Sequence, residues 1–427
     1  MIVRLPYGSD YVAFDLRGLK VRPLQPFAPQ GTRDLGRLLS RAVDYPIDGM
    51  GLRDLAAKCR TAVIVVPDAT RRASLHGVLP VILNRCLAAG IGADSISILV
   101  ACGTHPPAPQ SEVATLLGEL PFGVRFRQHS SSETADLVVV GELRPGIPLH
   151  LDREAVETDL LITVGAVRHH YFAGFGGGPK MVFPGIAGHD EIQANHSLVL
   201  RRTEGQLERH PGCEPGVVHG NPVAEEIAGA ADLRPPDFAI CLVPGRSGGI
   251  AWAGAGSWQK AFSSAVEKVR EWYELPSGLY QHIVACGGGR PGDSTLIQAH
   301  KGLDAACRFA EPGAEVVFAA ELKSGPGSPA MAPFLADPHQ ASILDRLDDR
   351  YVQYGHTLLR ILEKTAKHRV FLKSSLDQET AIKLGFIPVD DLAVIADRWR
   401  DEGFEDRVAV MAQAHVWPRS AHRADRD

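Results

Sequence analysis

The feature that most constrains the fold of this chain is the alternation of short β-branched runs with segments of helical periodicity. Runs such as TAVIVV (61–66) and SISILVA (95–101) have the length and continuous apolar character typical of strands buried on both faces. Helical patterns at 78–90 and 111–120 follow them. Strands that alternate with helices predict an α/β fold with largely parallel sheets.

The alternation occurs in two sets, which indicates two domains. The chain has 427 residues, more than one ordinary hydrophobic core accommodates. An amphipathic helical segment (258–275) is followed by Pro-Ser-Gly, and a second α/β set then begins with HIVACGGG. We therefore predict two α/β domains, residues 1–275 and 276–427, that face a central cleft.

Composition limits the kinds of binding partner and the cellular compartment that we expect for this protein. The formal net charge of −5 disfavours a general nucleic-acid-binding protein. No uninterrupted apolar stretch reaches about 18 residues, so we expect no membrane span, and the N-terminus lacks the apolar run of a signal peptide. Seven cysteines without a C-x-x-C motif favour free thiols over a disulfide framework. We expect a cytoplasmic protein.

Residues that can carry chemistry follow several of the predicted strands. They are Asp68 and Arg71 after TAVIVVP, Gly103 to His105 after SISILVAC, His169 and His170 after DLLITVGAVR, and Gln298 and Lys301 after HIVAC. Taken alone, each could be a helix cap or an ordinary loop residue. Ligands of open parallel sheets bind outside the carboxyl ends of the strands, so the coincidence of these residues at strand ends favours a binding site.

The segment HHYFAGFGGGPKMVFPGIAGHDEIQANH (169–196) concentrates glycine and histidine around one lysine. Gly176, Gly177 and Gly178 lie just before Lys180. A phosphate-binding P-loop requires Gly-Lys followed by Ser or Thr, so the match to that motif is weak. Neutral imidazole is a ligand of Zn, Cu, Fe and Ni, which makes the histidines of this segment candidate metal ligands. The residues alone indicate a two-domain α/β enzyme with a phosphate-bearing ligand and a candidate metal.

In combination, these residues resemble the nickel-dependent lactate racemase family. The resemblance extends over essentially the whole chain and keeps the family's order of motifs. The motifs are D-x-T-R (68–71), G-T-H (103–105), HYFAGFGGGPK (170–180), Asn195-His196, G-N-P (220–222) and Q-x-x-K (298–301). The spacing of His170, Lys180 and His196, with nine and fifteen residues between them, is the specific part of the pattern.

The resemblance implies a nickel pincer nucleotide, a pyridinium mononucleotide with two sulfur-bearing arms. Lys180 matches the lysine joined to this cofactor through a thioamide, and the glycines before it belong to the same cofactor-binding segment. His196 matches the histidine ligand of nickel, whose other ligands are two sulfurs and a ring carbon of the cofactor. His105 and His170 match the paired acid/base histidines.

The resemblance also assigns a substrate-binding set. Asp68, Arg71, Gln298 and Lys301 match family positions, and we add Ile297, where the family has a tyrosine, and Tyr354 in place of an expected tryptophan. These departures, together with His169 where proline is frequent and Gly176 where serine is frequent, fall mainly on the substrate side. We therefore expect a larger or more polar 2-hydroxy acid to be preferred to lactate.

The implied function is racemisation or epimerisation of a 2-hydroxy acid by proton-coupled hydride transfer. Removal of hydride avoids a carbanion beside a carboxylate, and histidine titrates in the range that suits both giving and taking the hydroxyl proton. The resemblance further implies maturation by cofactor-synthesis enzymes. Two alternatives remain open from the sequence: a lyase that uses Lys180 as an amine, and a non-catalytic carrier of the pincer nucleotide.

Overall fold

The computed structural model of the chain describes residues 1–69, 74–403, 407–412 and 416–419, so Arg71 lies outside the described residues. Two compact units account for the chain. The N-terminal unit consists of Ala28–Val199 and His210–Glu271, and the C-terminal unit of Met1–Phe27, Leu200–Arg209 and Trp272–Asp427. The division near 272 lies close to the expected boundary, but both units are discontinuous in sequence.

The C-terminal unit is discontinuous because segments that are distant in sequence pair with one another. The strand Val21–Pro23 pairs in parallel with Val408–Met411, and the preceding hairpin buries Leu5 and Phe14 completely. A second hairpin, 200–209, is held by an ion pair of 2.8 Å between Arg209 Nε and Glu363 Oε1. Such long-range contacts assign residues 1–27 and 200–209 to the C-terminal unit. The predicted division, a single boundary after residue 275, placed both segments in the other domain.

The N-terminal unit is built on a six-stranded sheet that is parallel except at one edge. Every residue of its central strand Ala62–Pro67 is buried, as expected for a strand covered on both faces. In spatial order the strands are Ile250–Gly256, Phe238–Pro244, Leu160–Ala166, Ala62–Pro67, Ile96–Ala101 and Arg125–Gln128. The helices are Leu35–Asp44, Leu52–Ala56, Leu75–Ala88, Gln110–Leu117, Arg153–Glu157, His189–Ser197, Pro222–Leu233 and Trp258–Tyr273.

Two hairpins of this unit lie outside the main sheet. Among the residues that the structure describes, Leu137–Arg144 pairs with Ile147–Asp152 alone, in antiparallel register, and Val139 is 61% exposed. A half-exposed strand cannot occupy the interior of a covered parallel sheet. The second hairpin joins His169–His170 to Gly174–Phe175.

The C-terminal unit contains a second six-stranded sheet, entirely parallel. In spatial order its strands are Ile387–Pro388, Arg369–Lys373, Ala310–Ala319, Tyr280–Cys286, Val408–Met411 and Val21–Pro23. Its helices are Leu296–Cys307, Ala332–Ala336, Gln340–Asp349, Gly355–Lys367, Gln378–Lys383 and Ala393–Asp401. The predicted α/β class with largely parallel sheets is confirmed in both units.

Two further expectations concern cysteines and membrane segments. All seven cysteines are free thiols, as the sequence indicated, and burial raises the pKa of Cys86 and Cys241 to about 12. Among the helices in the described ranges, none combines the length and the apolar character needed to cross a bilayer.

Candidate functional site

Three neighbouring parallel strands bring candidate residues to one edge of the N-terminal sheet. Asp68 follows the central strand, His105 follows Ile96–Ala101, and His170 follows Leu160–Ala166. Because the carboxyl ends of parallel strands lie at the same edge, the topology places all three residues there. This is the arrangement expected from the sequence.

His105 and Asp68 form a direct pair. Nδ1 of His105 lies 2.6 Å from Oδ2 of Asp68, and the side chains retain only 28% and 13% of their exposure. A carboxylate accepts a hydrogen bond, so in the neutral form of the ring the proton lies on Nδ1 and Nε2 keeps its lone pair. The pair is therefore arranged as a base with an orienting acid, the geometry that general base catalysis requires.

His170 lies in the tight hairpin that follows the strand Leu160–Ala166. The backbone N–H of Ala173 donates to His170 Nδ1 at 3.3 Å, which places the proton of the neutral ring on Nε2. Gly174, opposite His170 in the hairpin, has a φ of +66°, and a Cβ there would approach the carbonyl oxygen of Val217 to 2.3 Å. His169 points to the other face of the strand, where its ring contacts Phe175 at 4.9 Å between centroids.

The glycines before Lys180 have two different roles. Gly177 and Gly178 have φ values of +72° and +54°, and added Cβ atoms would lie 2.7 Å from the carbonyl oxygen of Ala166 and 2.2 Å from Phe262. They therefore let the backbone pack closely against the strand and a helix. Gly176 has no positive φ, and its added Cβ would meet nothing closer than 3.9 Å.

This close packing sets the position of Lys180. The lysine lies in a short 3-10 helix, Gly178–Met181, and its N–H donates to Gly177 O at 3.2 Å. Its Nζ is 5.6 Å from the centroid of the Phe172 ring, a distance at which an ammonium is attracted to an aromatic face. The glycine run thus serves to fix one lysine beside an aromatic ring.

His196 occupies the last turn of the helix His189–Ser197. Its Nδ1 donates to the backbone carbonyl of Ile192 at 2.8 Å, so Nε2 keeps its lone pair. Burial is the largest of the effects that lower the pKa of His196 to about 3, and the charges of Lys180 and His105 act in the same direction. The hydrogen bond to the Ile192 carbonyl acts in the opposite direction. A neutral imidazole whose other nitrogen donates to a carbonyl is the usual form of a metal-binding histidine.

The neighbouring Asn195 is a structural residue. It is fully buried, and its Nδ2 donates to Glu226 Oε2 at 2.9 Å and to the carbonyl oxygen of Val223 at 3.3 Å. These bonds join the His196 helix to the helix Pro222–Leu233. The Asn195-His196 motif therefore combines a residue that fixes the helix with a residue of the site.

Sequence reasoning missed Phe172, whose ring contacts several of the site's side chains. Its ring centroid lies 4.7 Å from that of His170 and 5.2 Å from that of His196. The carbonyl of Phe172 accepts a hydrogen bond of 2.9 Å from Asn221, which explains the G-N-P motif in structural terms. The only sequence signal was its location within the histidine-rich segment.

The remaining candidates belong to the C-terminal unit. Gln298 and Lys301 lie on the helix Leu296–Cys307, and Lys301 Nζ donates to Gln298 Oε1 at 2.7 Å. Ile297 is only 8% exposed and belongs to the hydrophobic core of this unit, and its contact with substrate stays a prediction. Tyr354 packs against the same core with a φ of +74°, a strained conformation for a bulky residue.

The donor groups of the described residues limit the kinds of metal site. No cluster of three or more His, Cys, Asp or Glu side chains that could hold a metal ion occurs in the described ranges. Within those ranges His196 could supply a single nitrogen, which fits a metal whose other ligands belong to a non-protein group. A histidine already oriented through Nδ1 and a nearby lysine fit such a group.

A pocket of about 850 Å³ lies elsewhere in the N-terminal unit. Its walls come from the loop 131–134, the exposed hairpin and the start of the His196 helix, and they include the paired side chains of His150 and Glu191. None of the candidate residues is among its described lining residues. This pocket is therefore distinct from the group formed by His105, His170 and Lys180.

Comparison with known proteins gives concordant results along the chain. The family model of the lactate racemase N-terminal domain matches residues 7–207. The lactate racemase of Thermoanaerobacterium thermosaccharolyticum is 30% identical over 329 residues, which is 76% of this chain and 75% of that protein. The lactate racemase of Lactiplantibacillus plantarum is 30% identical over 300 residues, or 70% and 69% of the two chains.

Solved structures show the same relationship. The lactate racemase apoprotein from Thermoanaerobacterium thermosaccharolyticum superimposes with a TM-score of 0.87 at 25% identity, over 98% of this chain and 100% of that chain. A protein from Thermotoga maritima gives a TM-score of 0.65 at 18% identity, over 86% and 97% of the two chains, and shares the fold.

Proposed function

This chain belongs to the lactate racemase family of isomerases, and from that premise we propose that it inverts the configuration at C2 of a 2-hydroxy carboxylate with the help of a nickel pincer nucleotide. Membership in a racemase family disfavours both the lyase and the non-catalytic carrier. The observation that carries the proposal is the contact of the Phe172 ring with His170, His196 and Lys180. It brings an acid/base histidine, a metal-binding histidine and a tether lysine into one cluster.

The cofactor fits the residues present. His196 would hold the nickel through Nε2, because its Nδ1 is committed to the Ile192 carbonyl. Lys180 would carry the nucleotide covalently, and Gly176 leaves open space beside the chain. When bound, the cofactor would supply the acceptor and donor for hydride. Cofactor-synthesis enzymes would act on the chain before it becomes active.

The proton chemistry falls to the two histidines. Nε2 of His105 can take the hydroxyl proton, and the carboxylate of Asp68, at 2.6 Å from Nδ1, stabilises the resulting imidazolium. His170 presents a protonated Nε2, which can donate a hydrogen bond to a substrate oxygen. The resting tautomers of the two rings are thus complementary, and each ring must exchange a proton before it can take the opposite role.

The substrate class is a small carboxylate. We carry Arg71 over from the resemblance as the residue that would bind the carboxylate group, which arginine can do with two parallel hydrogen bonds. The relatives act, by name, on lactate. Isoleucine at 297 offers no hydroxyl group, and on this basis we propose that a larger or more polar 2-hydroxy acid is preferred.

The test of this function is chiral chromatography of a panel of single-enantiomer 2-hydroxy acids. The protein would be co-expressed with cofactor-synthesis enzymes, and the matched control is the Lys180→Ala variant prepared in the same way. We expect inversion of at least one acid by the wild type and none by the variant. Absence of inversion across the panel, with nickel present in the protein, would contradict the function. Lactate as the best substrate would contradict only the substrate preference.

A further inference from the structure

Phe172 is a buried aromatic residue with contacts to three functional side chains. Its ring meets the His170 ring nearly edge-on, at 4.7 Å and 83°, and the His196 ring at 5.2 Å and 70°. Lys180 Nζ is 5.6 Å from its centroid. The residue is only 3% exposed. One ring therefore contacts an acid/base histidine, the metal-binding histidine and the tether lysine.

Phe172 is itself held by its surroundings. The side-chain amide of Asn221 donates to its carbonyl at 2.9 Å and to that of Val217 at 3.0 Å. Asn221 is fully buried, and its Oδ1 accepts from the N–H of Ala224 at the start of the helix Pro222–Leu233. The ring of Tyr171 meets Phe172 at 90° and 4.7 Å. These contacts fix both the backbone and the plane of the ring.

We propose that Phe172 is a positioning residue that holds the rings of His170 and His196 in a fixed relation to Lys180, an inference that rests on the proposed function. Edge-to-face contacts between rings have a preferred direction, which aliphatic side chains cannot provide. An aromatic face also attracts the ammonium of a lysine before it is modified. A shift of about 1 Å in a reacting group can lower a rate about 10²-fold, so this geometry bears directly on turnover.

The test compares substitutions at Phe172 with a matched substitution in the same hairpin. Phe175 is 2% exposed and contacts His169 and Arg270, so Phe175→Leu removes a similar buried ring. In holoenzyme, Phe172→Leu and Phe172→Met should lower kcat about 10²-fold with KM changed less than about threefold. Phe172→Tyr, which keeps the ring, should restore kcat to within about tenfold of wild type. Phe175→Leu should lower the melting temperature comparably but leave kcat of the folded protein near that of wild type.

Nuclear magnetic resonance of the apoproteins supplies a readout independent of activity. Loss of the Phe172 ring current should shift the ring-proton signals of both His170 and His196 in Phe172→Leu or Phe172→Met, and Phe175→Leu should leave them in place. Unshifted signals, or equal kcat in the Phe172→Leu and Phe175→Leu holoenzymes, would overturn the positioning role and leave the racemase function intact. Wild-type protein that contains nickel but racemises no acid of the panel would overturn the function, while the apoprotein signals would still decide whether Phe172 positions the two rings.

Discussion

Three histidines of the site differ in the partner of Nδ1, and that partner decides what each ring can do. In His105 a carboxylate accepts from Nδ1, in His196 a backbone carbonyl does so, and in His170 a backbone N–H donates to it. The first ring is arranged as a base supported by an acid, the second as a neutral ligand, and the third as a hydrogen-bond donor. One residue type thus has three different hydrogen-bonding arrangements, each set by its local contacts.

Substitution of the acid/base histidines should stop net turnover without loss of the cofactor. His105→Ala or His170→Ala should lower the rate about 10²–10⁴-fold, because each inversion needs a base on one side and an acid on the other. Nickel content should remain, since in the proposed function His196 and Lys180, not these two histidines, hold the cofactor. The measurement is racemisation rate together with nickel per protein.

His169→Ala is the matched control for these variants. His169 is adjacent to His170 in the same strand, but its ring packs on Phe175, so activity should fall by less than about tenfold. Loss of activity in His169→Ala beside normal racemisation by His170→Ala would show that the acid/base role belongs to His169.

At the scale of the elements, the glycine run gives the clearest prediction. Gly178→Ala should destabilise the protein by at least about 2 kcal/mol, because its Cβ would lie 2.2 Å from Phe262 and φ is +54°. Gly176→Ala should change stability by less than about 0.5 kcal/mol, since the nearest atom is 3.9 Å away. Denaturant unfolding of the apoproteins measures both, and equal losses would contradict the packing role.

The helix Leu296–Cys307 contains a second testable feature, the buried carboxylate of Asp304. It lies 2.5 Å from Lys364 Nζ, 3.2 Å from Arg360 and 3.4 Å from Arg308. Burial raises its pKa, but the charges of Lys364, Arg360 and Arg308 outweigh burial and hold it well below the usual range. Asp304→Asn should cost about 3–5 kcal/mol, because it leaves buried cations without their anion.

The sign of the pH dependence follows from the lowered pKa. A carboxyl group with a lowered folded-state pKa stabilises the protein above its unfolded pKa of about 3.9, and this stabilisation is lost as the pH falls toward the folded-state pKa. The wild type should therefore lose stability below about pH 4 more steeply than Asp304→Asn. The exposed Asp345, changed to Asn, is the control and should leave the profile unaltered; equal profiles for all three proteins would contradict the role of Asp304.

The sequence predicted well where the buried parallel strands end and which polar residues follow them. Such strands are visible in the sequence as continuous apolar runs. It did not predict Phe172, since a phenylalanine at a crowded site has the same local pattern as one in a core. Ile297, a position that the family resemblance added to the substrate-binding set, packs in the hydrophobic core. Contacts between distant segments decide both cases, and no local pattern records them.

For the whole molecule, contacts between segments that are distant in sequence also explain the division into two units. The local pattern of residues 1–27 does not indicate where this segment packs. In the structure, Leu5, Phe14 and Leu16 share a core with Val284 and Trp399. A fragment of residues 1–275 should therefore aggregate, because these apolar side chains lose their cover. A fragment of residues 28–271 should remain monomeric to a greater extent. Size-exclusion chromatography of both measures this, and equal behaviour would contradict the assignment of the N-terminal segment.

The central claim, that Lys180 and His196 hold a nickel pincer nucleotide, is tested most directly by intact mass spectrometry combined with nickel analysis. The wild type, Lys180→Ala and His196→Ala would each be co-expressed with cofactor-synthesis enzymes. We predict added mass and about one nickel per chain in the wild type, neither in Lys180→Ala, and reduced nickel in His196→Ala. Wild-type protein with the bare mass of its sequence and no nickel, purified beside a relative that loads fully under the same conditions, would contradict the claim.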